Sequence, residues 1–199
     1  MASEVAVTRI GPEMHGMRMS LEEFAPAEGK PGYSYELERG VIIAERPLIP
    51  HSLVIGEIHA ALGRCERGGN VKAFLRAGKG EAVLFLPGLQ SERHPDISIY
   101  LTPPPSDDEM PWDVWTPDVI FEVVSASSIE RDYVTKREEY LLAGVRAYCI
   151  IDPLARSALL LTRRGDIWNE SHMTSDATVI LPLLPGFSLL LAQVFAAVI

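Results

Sequence analysis

The chain has 199 residues, of which 47% are hydrophobic and 23% charged, and a chain of this length can bury a core without disulfide bonds. Its formal net charge of −9 argues against a protein that coats nucleic acid non-specifically, because such binding depends on neutralising phosphates with lysine and arginine. The charge does not exclude a nuclease, whose carboxylates bind metal and whose basic residues need only be local. No run of 18 apolar residues is present, so we expect no membrane span.

The spacing of the two cysteines indicates the cellular compartment that we expect for the protein. Cys65 and Cys149 lie far apart in the sequence and form neither a CxxC pair nor a zinc-binding spacing. We expect both to be free thiols in the core of a cytoplasmic protein. The first residues show no signal-peptide pattern, which agrees with that location.

The beginning of the chain predicts an arm, a helix and a strand region. Residues 1–16 lack hydrophobic periodicity, so we expect a flexible N-terminal arm followed by a single domain over residues 17–199. Ser20 and Glu23 have the spacing of a capping box, which marks the start of a helix. Residues 33–44 alternate imperfectly around a central Arg-Gly dipeptide and predict either a pair of strands or one bent strand.

A longer helix and a series of short strands follow. Apolar residues recur with a helical period between residues 53 and 65, which predicts a helix that ends at Gly68 and Gly69. Short strands are predicted over residues 71–76, 81–86, 96–101, 118–124, 146–151 and 158–162. A Gly-Lys-Gly turn joins the first two of these strands, and residues 102–116 form a long loop of the kind that often caps a site.

The second half of the chain predicts a parallel crossover. A helix begins at Ser127 or Ser128, runs to about Ala143 and stops at Gly144. The strands on either side of this helix are therefore expected to be parallel, whereas the earlier strands are close enough in sequence to be antiparallel. One or two short strands and a short apolar helix complete the chain. We predict an α/β protein with a mixed sheet flanked by helices.

Two carboxylates interrupt apolar strands and point to metal chemistry. Asp96 opens one strand and Glu122 lies inside another, where a buried carboxylate is costly unless a charged group meets it. Hard divalent cations prefer a few carboxylate oxygens and keep several waters. Such a cation polarises a phosphoryl oxygen and lowers the pKa of bound water. We predict a site for Mg²⁺ or Mn²⁺ formed by Asp96 and Glu122, with the Val123 carbonyl as a further ligand.

Lys136 is the predicted electrostatic partner of these carboxylates. Asp132, Lys136 and Tyr140 have the spacing i, i+4 and i+8, so they share one helix face. Because the helix directly follows the Glu122 strand, we expect Lys136 to reach the site and to stabilise charge on a phosphate. The alternative is an exposed helix lysine that pairs with Asp132 or Glu139.

Several short motifs occur in a fixed order over nearly the whole chain. They are Tyr35-Glu36-Leu37 with Gly40, His51, Pro95-Asp96, Glu122-Val123-Val124-Ser125, Asp132, Lys136, Tyr140, Gly144-Val145, Tyr148, Asp152-Pro153 and Leu184-Pro185-Gly186-Phe187. With these motifs the chain resembles the Uma2 family of putative restriction endonucleases, a branch of the PD-(D/E)XK nuclease superfamily. Two positions depart from the family pattern, at Ala126 and at Val41.

The resemblance implies a fold, a substrate and a set of roles. The fold would be a restriction-endonuclease-like core with extra N- and C-terminal strands, and the substrate DNA. Asp96 and Glu122 would be the metal-binding pair, and Glu36 an additional upstream acid. The superfamily lysine normally lies two residues after the glutamate, where this chain has Val124, so Lys136 would be the lysine moved onto the helix. We also expect a homodimer, for which the apolar residues 189–199 offer a surface.

The residues alone leave three functions open. A nuclease predicts that Asp96, Glu122 and Lys136 converge in one pocket that is open to solvent. A catalytically inactive module of the same fold, acting through dimer or partner binding, would have Glu122 in a buried salt bridge with Arg131, Arg137 or Arg146. A paired-carboxylate hydrolase such as a glycosidase needs two acids that face each other across a cleft.

Overall fold

The computed structural model describes residues 7–69, 73–105, 112 and 114–198, and these residues form two compact units. The small unit comprises the described residues up to Pro47 together with Val83–His94. The large unit comprises the described parts of Leu48–Ala82 and Pro95–Ile199. Within these ranges no helix combines the length and the apolar character that a membrane span needs.

The secondary structure is mixed, with strands more numerous than helices. In chain order the strands are β1 (Arg9–Ile10), β2 (Glu28–Gly29), β3 (Ser34–Glu38), β4 (Val41–Glu45), β5 (Leu75–Gly78), β6 (Leu84–Leu86), β7 (Ser91–Arg93), β8 (Ile97–Tyr100), β9 (Val119–Val123), β10 (Ala147–Asp152), β11 (Ser157–Arg164), β12 (Ile167–Met173), β13 (Thr178–Ile180) and β14 (Ser188–Leu190). The α-helices are α1 (Leu21–Phe24), α2 (Ile49–Arg67), α3 (Lys136–Ala143) and α4 (Leu191–Ala196). A π-helical turn, Arg131–Thr135, leads directly into α3.

The small unit contains a four-stranded antiparallel sheet in the order β4-β3-β7-β6. The capping box predicted before α1 is confirmed, because Ser20 Oγ accepts a bond from the Glu23 amide and the Glu23 carboxylate accepts one from the Ser20 amide. Of the two alternatives for residues 33–44, the strand pair is confirmed. Arg39 and Gly40 both have positive φ at the tight turn between β3 and β4, with values of 48° and 76°.

The structure does not test the predicted boundaries of the N-terminal arm and of the single domain. Residues 1–6 of the predicted arm lie outside the described residues, and Arg9–Ile10 form β1, which pairs with β2 in parallel. The assignment of residues 17–199 to a single domain stays a prediction.

The large unit is organised around a six-stranded sheet in the order β12-β11-β10-β9-β8-β5. The β9–β10 pair is parallel and its neighbours are antiparallel, so the predicted mixed sheet with a helical crossover is confirmed. All five residues of β9 and all six of β10 are buried, as expected for strands covered on both faces. The helix before β10 ends at Gly144, whose φ of 93° is the left-handed conformation that glycine allows at a helix end.

The apolar core occupies one face of this sheet. Ile97 and Ile99 of β8 and Phe121 of β9 belong to the core cluster, which also contains the buried stripe of α2. Side chains alternate between the faces of a strand, so Asp96 and Glu122 fall on the opposite face. The sheet therefore separates the main core from the predicted acidic pair.

Two expectations about individual strands need correction. The strands β5 and β6 do not form a hairpin, because β5 pairs with β8 in the large unit and β6 pairs with β7 in the small unit. Residues 71 and 72 of the first predicted strand lie outside the described residues, as do residues 106–111 and 113 of the predicted loop. Three strands, β12 to β14, follow β11, where one or two were predicted.

Part of the apolar C-terminal run belongs to the core. The buried members of this run, Leu189, Leu191, Val194 and Phe195, belong to the main core cluster of the large unit. Their apolar side chains are consumed by packing within the chain. These four side chains are therefore not available for a surface, whereas Leu190 is exposed, and the predicted surface and homodimer stay predictions.

Candidate active site

Asp96 and Glu122 meet at one end of the central strand pair. The antiparallel register pairs Ile97 with Phe121, so the next pair along the ladder is Asp96 opposite Glu122. Residues directly opposite in an antiparallel pair project on the same side of the sheet. The Asp96 amide donates a 3.3 Å hydrogen bond to Glu122 Oε2, which ties the second carboxylate to the backbone of the first.

Two side chains from α3 hold the other oxygen of Glu122. Lys136 Nζ lies 2.8 Å from Glu122 Oε1, and the Tyr140 hydroxyl donates to the same oxygen at 2.6 Å. These two residues lie one helical turn apart, which is the spacing that led us to place them on one face. The helix that follows the Glu122 strand therefore returns to it, and Lys136 reaches the acidic pair.

Asp96 is held by a different set of groups. Its Oδ2 lies 2.9 Å from His51 Nε2 and accepts a 2.8 Å bond from the Val123 amide, while Lys79 Nζ lies 3.6 Å from Oδ1. Burial disfavours the charged form of Asp96, but the His51 hydrogen bond and the positive charges of Lys79 and Lys136 outweigh it. These groups hold the pKa of the carboxyl below its usual range. An ionised carboxylate only accepts hydrogen bonds, so His51 donates through Nε2.

Asp132 is a third carboxylate in the same polar region. It lies one turn before Lys136, whose Nζ is 3.5 Å from Asp132 Oδ1, and Ser128 Oγ donates to Oδ2 at 2.6 Å. Burial raises the pKa of Asp132, and the charge of Lys136 and the Ser128 hydrogen bond only partly oppose this effect. Lys136 thus bridges Glu122 and Asp132, and its pairing with Asp132 is buried, unlike the exposed pairing that we considered as the alternative.

The three predicted central residues converge but do not lie open to solvent. Asp96, Glu122 and Lys136 are each only 2% exposed. The expectation of a solvent-open pocket is therefore not met, whereas the expectation of convergence is. The acids lie on neighbouring strands within hydrogen-bond contact, so they do not face each other across a cleft as a glycosidase pair would.

Glu36 belongs to the small unit, where the structure gives it structural partners. It is 4% exposed, accepts a 3.3 Å bond from Arg93 Nη1 through Oε2, and accepts a 3.2 Å bond from the His94 amide through Oε1. Arg93, which forms an ion pair with Glu36, is itself fully buried. The predicted role of Glu36 as an upstream acid stays a prediction.

The donor set at Asp96 and Glu122 fits a hard divalent cation. Asp96 Oδ1 is buried and has no hydrogen-bond partner among the described residues. Mg²⁺ is usually held by one or two carboxylates and completes its shell with water and phosphate oxygens. The pair formed by Asp96 and Glu122 provides two carboxylates. Within the described parts of the chain, no group of three or more His, Cys, Asp and Glu side chains is arranged to hold a metal ion. The Val123 carbonyl stays a predicted ligand.

Sequence reasoning missed Lys79 as a member of this constellation. We interpreted the residue as the centre of a turn between two strands and as part of a modest basic cluster on the solvated surface. The ladder between β5 and β8 pairs Gly78 with Ile97, so the next pair along it is Lys79 and Asp96. The available signal was a lysine flanked by two glycines beside a predicted strand, but its meaning depends on a strand register that the sequence does not specify.

Comparisons with known proteins agree on a nuclease-like fold. The model of the Uma2 family, described as putative restriction endonuclease, matches residues 21–192. The chain is similar to the crystal structure of a putative nuclease belonging to DUF820 from Anabaena variabilis ATCC 29413, with a TM-score of 0.68 and 19% sequence identity. That similarity covers 91% of this chain and 99% of the other, and at this identity it concerns the fold alone. No curated protein matches the chain.

Proposed function

As the chain belongs to the Uma2 family of putative restriction endonucleases, we propose that it is a metal-dependent endonuclease that hydrolyses phosphodiester bonds of DNA. The observation that carries this proposal is the contact between Lys136 and Glu122 at 2.8 Å, directly beside Asp96 on the neighbouring strand. Two acids on adjacent strands and one lysine supply the charges that phosphoryl transfer needs. The mixed sheet and its similarity to the fold of a putative nuclease support the same proposal.

In this proposal the acidic pair holds the cation. Asp96, Glu122 and the Val123 carbonyl would bind Mg²⁺ or Mn²⁺, and when bound the cation would polarise a phosphoryl oxygen and lower the pKa of a water molecule. His51 and Lys79 keep Asp96 ionised, as its lowered pKa indicates. Lys136 orients Glu122 through the 2.8 Å contact and supplies positive charge against the charge that develops on the phosphate.

Three further parts of the proposal concern Glu36, the assembly and the compartment. Glu36 is proposed as the upstream acid by resemblance to the family, and Glu36→Gln in a cleavage assay tests that role. A homodimer is proposed on the same ground, and light scattering tests it. A cytoplasmic location is proposed because Cys65 and Cys149 are both free and buried, as expected of core thiols in a reducing compartment.

Burial of the site favours a second candidate function. Asp96, Glu122 and Lys136 are nearly inaccessible, and the net charge of −9 gives the chain no general attraction to DNA. Both observations support a catalytically inactive module that keeps the nuclease fold and acts through dimer or partner binding. In that case the charges would serve only the packing of α3 on the sheet.

A cleavage assay separates the two candidates. We expect the wild-type protein to nick or cut plasmid DNA in Mg²⁺ or Mn²⁺ and not in chelator. Asp96→Asn and Glu122→Gln should each lower the rate about 100-fold or more, because each removes a proposed metal ligand without changing side-chain size. The matched control is Asp166→Asn, which alters a fully exposed aspartate of the large unit and should leave the rate unchanged.

The assay has a clear contradictory result. Equal cleavage by the wild type and both site variants would indicate a contaminating nuclease or a site elsewhere. An absence of cleavage over a broad panel of DNA substrates, with a folded wild-type protein, would favour the inactive module.

A further inference from the structure

Lys79 completes a row of charged residues that runs across three neighbouring strands. The ladder between β5 and β8 places Lys79 opposite Asp96, and the ladder between β8 and β9 places Asp96 opposite Glu122. Residues opposite one another in successive antiparallel ladders project on the same side of the sheet. A positive charge therefore stands at one end of the acidic pair, and Lys136 approaches the other end from α3.

The two lysines differ in their exposure and in their distance from the acidic pair. The Lys136 side chain is 3% exposed and its Nζ lies 2.8 Å from a carboxylate oxygen. The Lys79 side chain is 26% exposed and its Nζ lies 3.6 Å from Asp96 Oδ1, which is ion-pair distance without a hydrogen bond. Glycines flank Lys79 on both sides, and Gly80 has a φ of 84°, so the lysine sits in a turn beyond the end of β5.

We propose that Lys79 is a phosphate-binding residue that exchanges partners when the cation binds. In the structure its ammonium group neutralises Asp96 Oδ1, the carboxylate oxygen that has no hydrogen bond among the described residues. A divalent cation at the acidic pair repels the ammonium group, which then binds a phosphate oxygen of the nucleic acid. The proposal rests on the proposed function and names a residue that would contact the substrate backbone.

The chemistry of lysine suits this exchange. An ammonium group on a flexible four-carbon stem acts as a point charge, and it can leave one anion for another without losing a fixed hydrogen-bond geometry. Two cations that share one carboxylate oxygen at short range repel each other strongly in a poorly hydrated site. Lys79 is the more accessible of the two lysines, so it is the one that a phosphate from solvent can reach.

The first test is the affinity for the metal alone. Calorimetric titration with Mn²⁺ should give about threefold to tenfold tighter binding for Lys79→Met than for the wild type, because the competing ammonium group is gone. Lys79→Arg keeps the charge and should bind Mn²⁺ as the wild type does. The matched control Lys30→Met removes an exposed lysine of the small unit and should change nothing.

The second test is the salt dependence of DNA binding. With Mn²⁺ and a phosphorothioate duplex that resists hydrolysis, Lys79→Met should bind about threefold to tenfold more weakly than the wild type. The slope of log affinity against log salt concentration should become shallower by about 0.9, the value for one lost phosphate contact. Lys79→Arg should retain most of the slope. This result would indicate that the weaker binding of Lys79→Met follows from the lost charge and not from a folding defect.

The outcomes separate this proposal from the proposed function. Wild-type Mn²⁺ binding with unchanged affinity and salt slope in Lys79→Met would overturn the role of Lys79 and leave the metal site intact. Weaker Mn²⁺ binding by Lys79→Met would also overturn it, because the lysine would then support the site instead of competing with the cation. No Mn²⁺ binding by the wild type would contradict the proposed function, and the exchange with it.

Discussion

Two buried ionic clusters, one in each unit, neutralise their carboxylates in different ways. In the small unit the fully buried Arg93 reaches Glu36 through Nη1 and Glu38 through Nη2, at 3.3 Å and 3.2 Å. We call these three residues the arginine cluster. In the large unit Lys136 holds Glu122 on one oxygen, while Asp96 keeps one oxygen without a hydrogen bond among the described residues.

The difference indicates which buried charges serve the fold and which are available for chemistry. A guanidinium group is always charged and presents a rigid fork of donors, so it fixes two carboxylates at once. In the arginine cluster both oxygens of Glu36 are bonded. Asp96 Oδ1 has an ammonium group at 3.6 Å but no hydrogen bond among the described residues, and such a buried oxygen is costly unless another cation binds there. On this ground the acidic pair, and not the arginine cluster, is the candidate metal site.

Among the substitutions that test this comparison, we expect Arg93→Met to lower the unfolding free energy most. This change leaves Glu36 buried without its cation, and removing one partner of a buried pair costs about 3–5 kcal/mol of unfolding free energy. Urea unfolding followed by circular dichroism measures the loss, with the exposed Arg18→Met as the control. A loss below about 1 kcal/mol would show that the arginine cluster does not stabilise the fold.

Lys136→Met should have a somewhat smaller effect, and one that metal reverses. We expect a loss of about 3 kcal/mol in chelator, because Glu122 loses the ammonium group at 2.8 Å. Saturating Mn²⁺ should restore part of this stability, since a ligand that binds only the folded state stabilises it.

The same Mn²⁺ concentration should stabilise Arg93→Met no more than the wild type. If metal restores both variants equally, or neither, the assignment of the cation to the acidic pair is contradicted. The comparison between the two variants also controls for unspecific effects of the salt.

Of these three substitutions, Tyr140→Phe should change the stability least. It tests the assignment of the cation to the acidic pair through its effect on Mn²⁺ affinity. Loss of the 2.6 Å hydrogen bond to Glu122 should cost about 1.5 kcal/mol and weaken Mn²⁺ binding about tenfold, because this hydroxyl orients a proposed ligand. Tyr148→Phe removes a hydroxyl that donates to the Asp132 carbonyl at 2.9 Å, and should leave Mn²⁺ affinity unchanged. Equal effects of the two variants on affinity would show that Tyr140 has only a packing role.

Much of the fold follows from local signals in the sequence. The capping box at Ser20, the apolar stripe of α2 and the glycine that ends α3 are all short-range features, and each specifies an element boundary within a few residues. The same holds for Lys136 and Tyr140, whose helical spacing brings both to Glu122. The contact of Lys136 with Glu122 was predicted correctly because the helix directly follows the Glu122 strand in sequence.

Long-range pairing explains what the sequence could not provide. The Gly-Lys-Gly segment looks like a hairpin turn, but β5 pairs with β8 and β6 pairs with β7, because partners far along the chain compete with the local one. For the same reason we did not predict the contact between Lys79 and Asp96, which depends on the register of β5 and β8. The partner of Glu36 was missed for the same reason, since Arg93 lies on a strand 57 positions away.

The most direct test of the acidic pair is calorimetric titration with Mn²⁺ and Mg²⁺ of the wild type, Asp96→Ala and Glu122→Ala. We predict that the wild type binds both ions and that each variant loses the binding while remaining folded by circular dichroism. Binding that persists in both variants, or a folded wild type that binds neither ion at millimolar concentration, would contradict a metal site at these two strands.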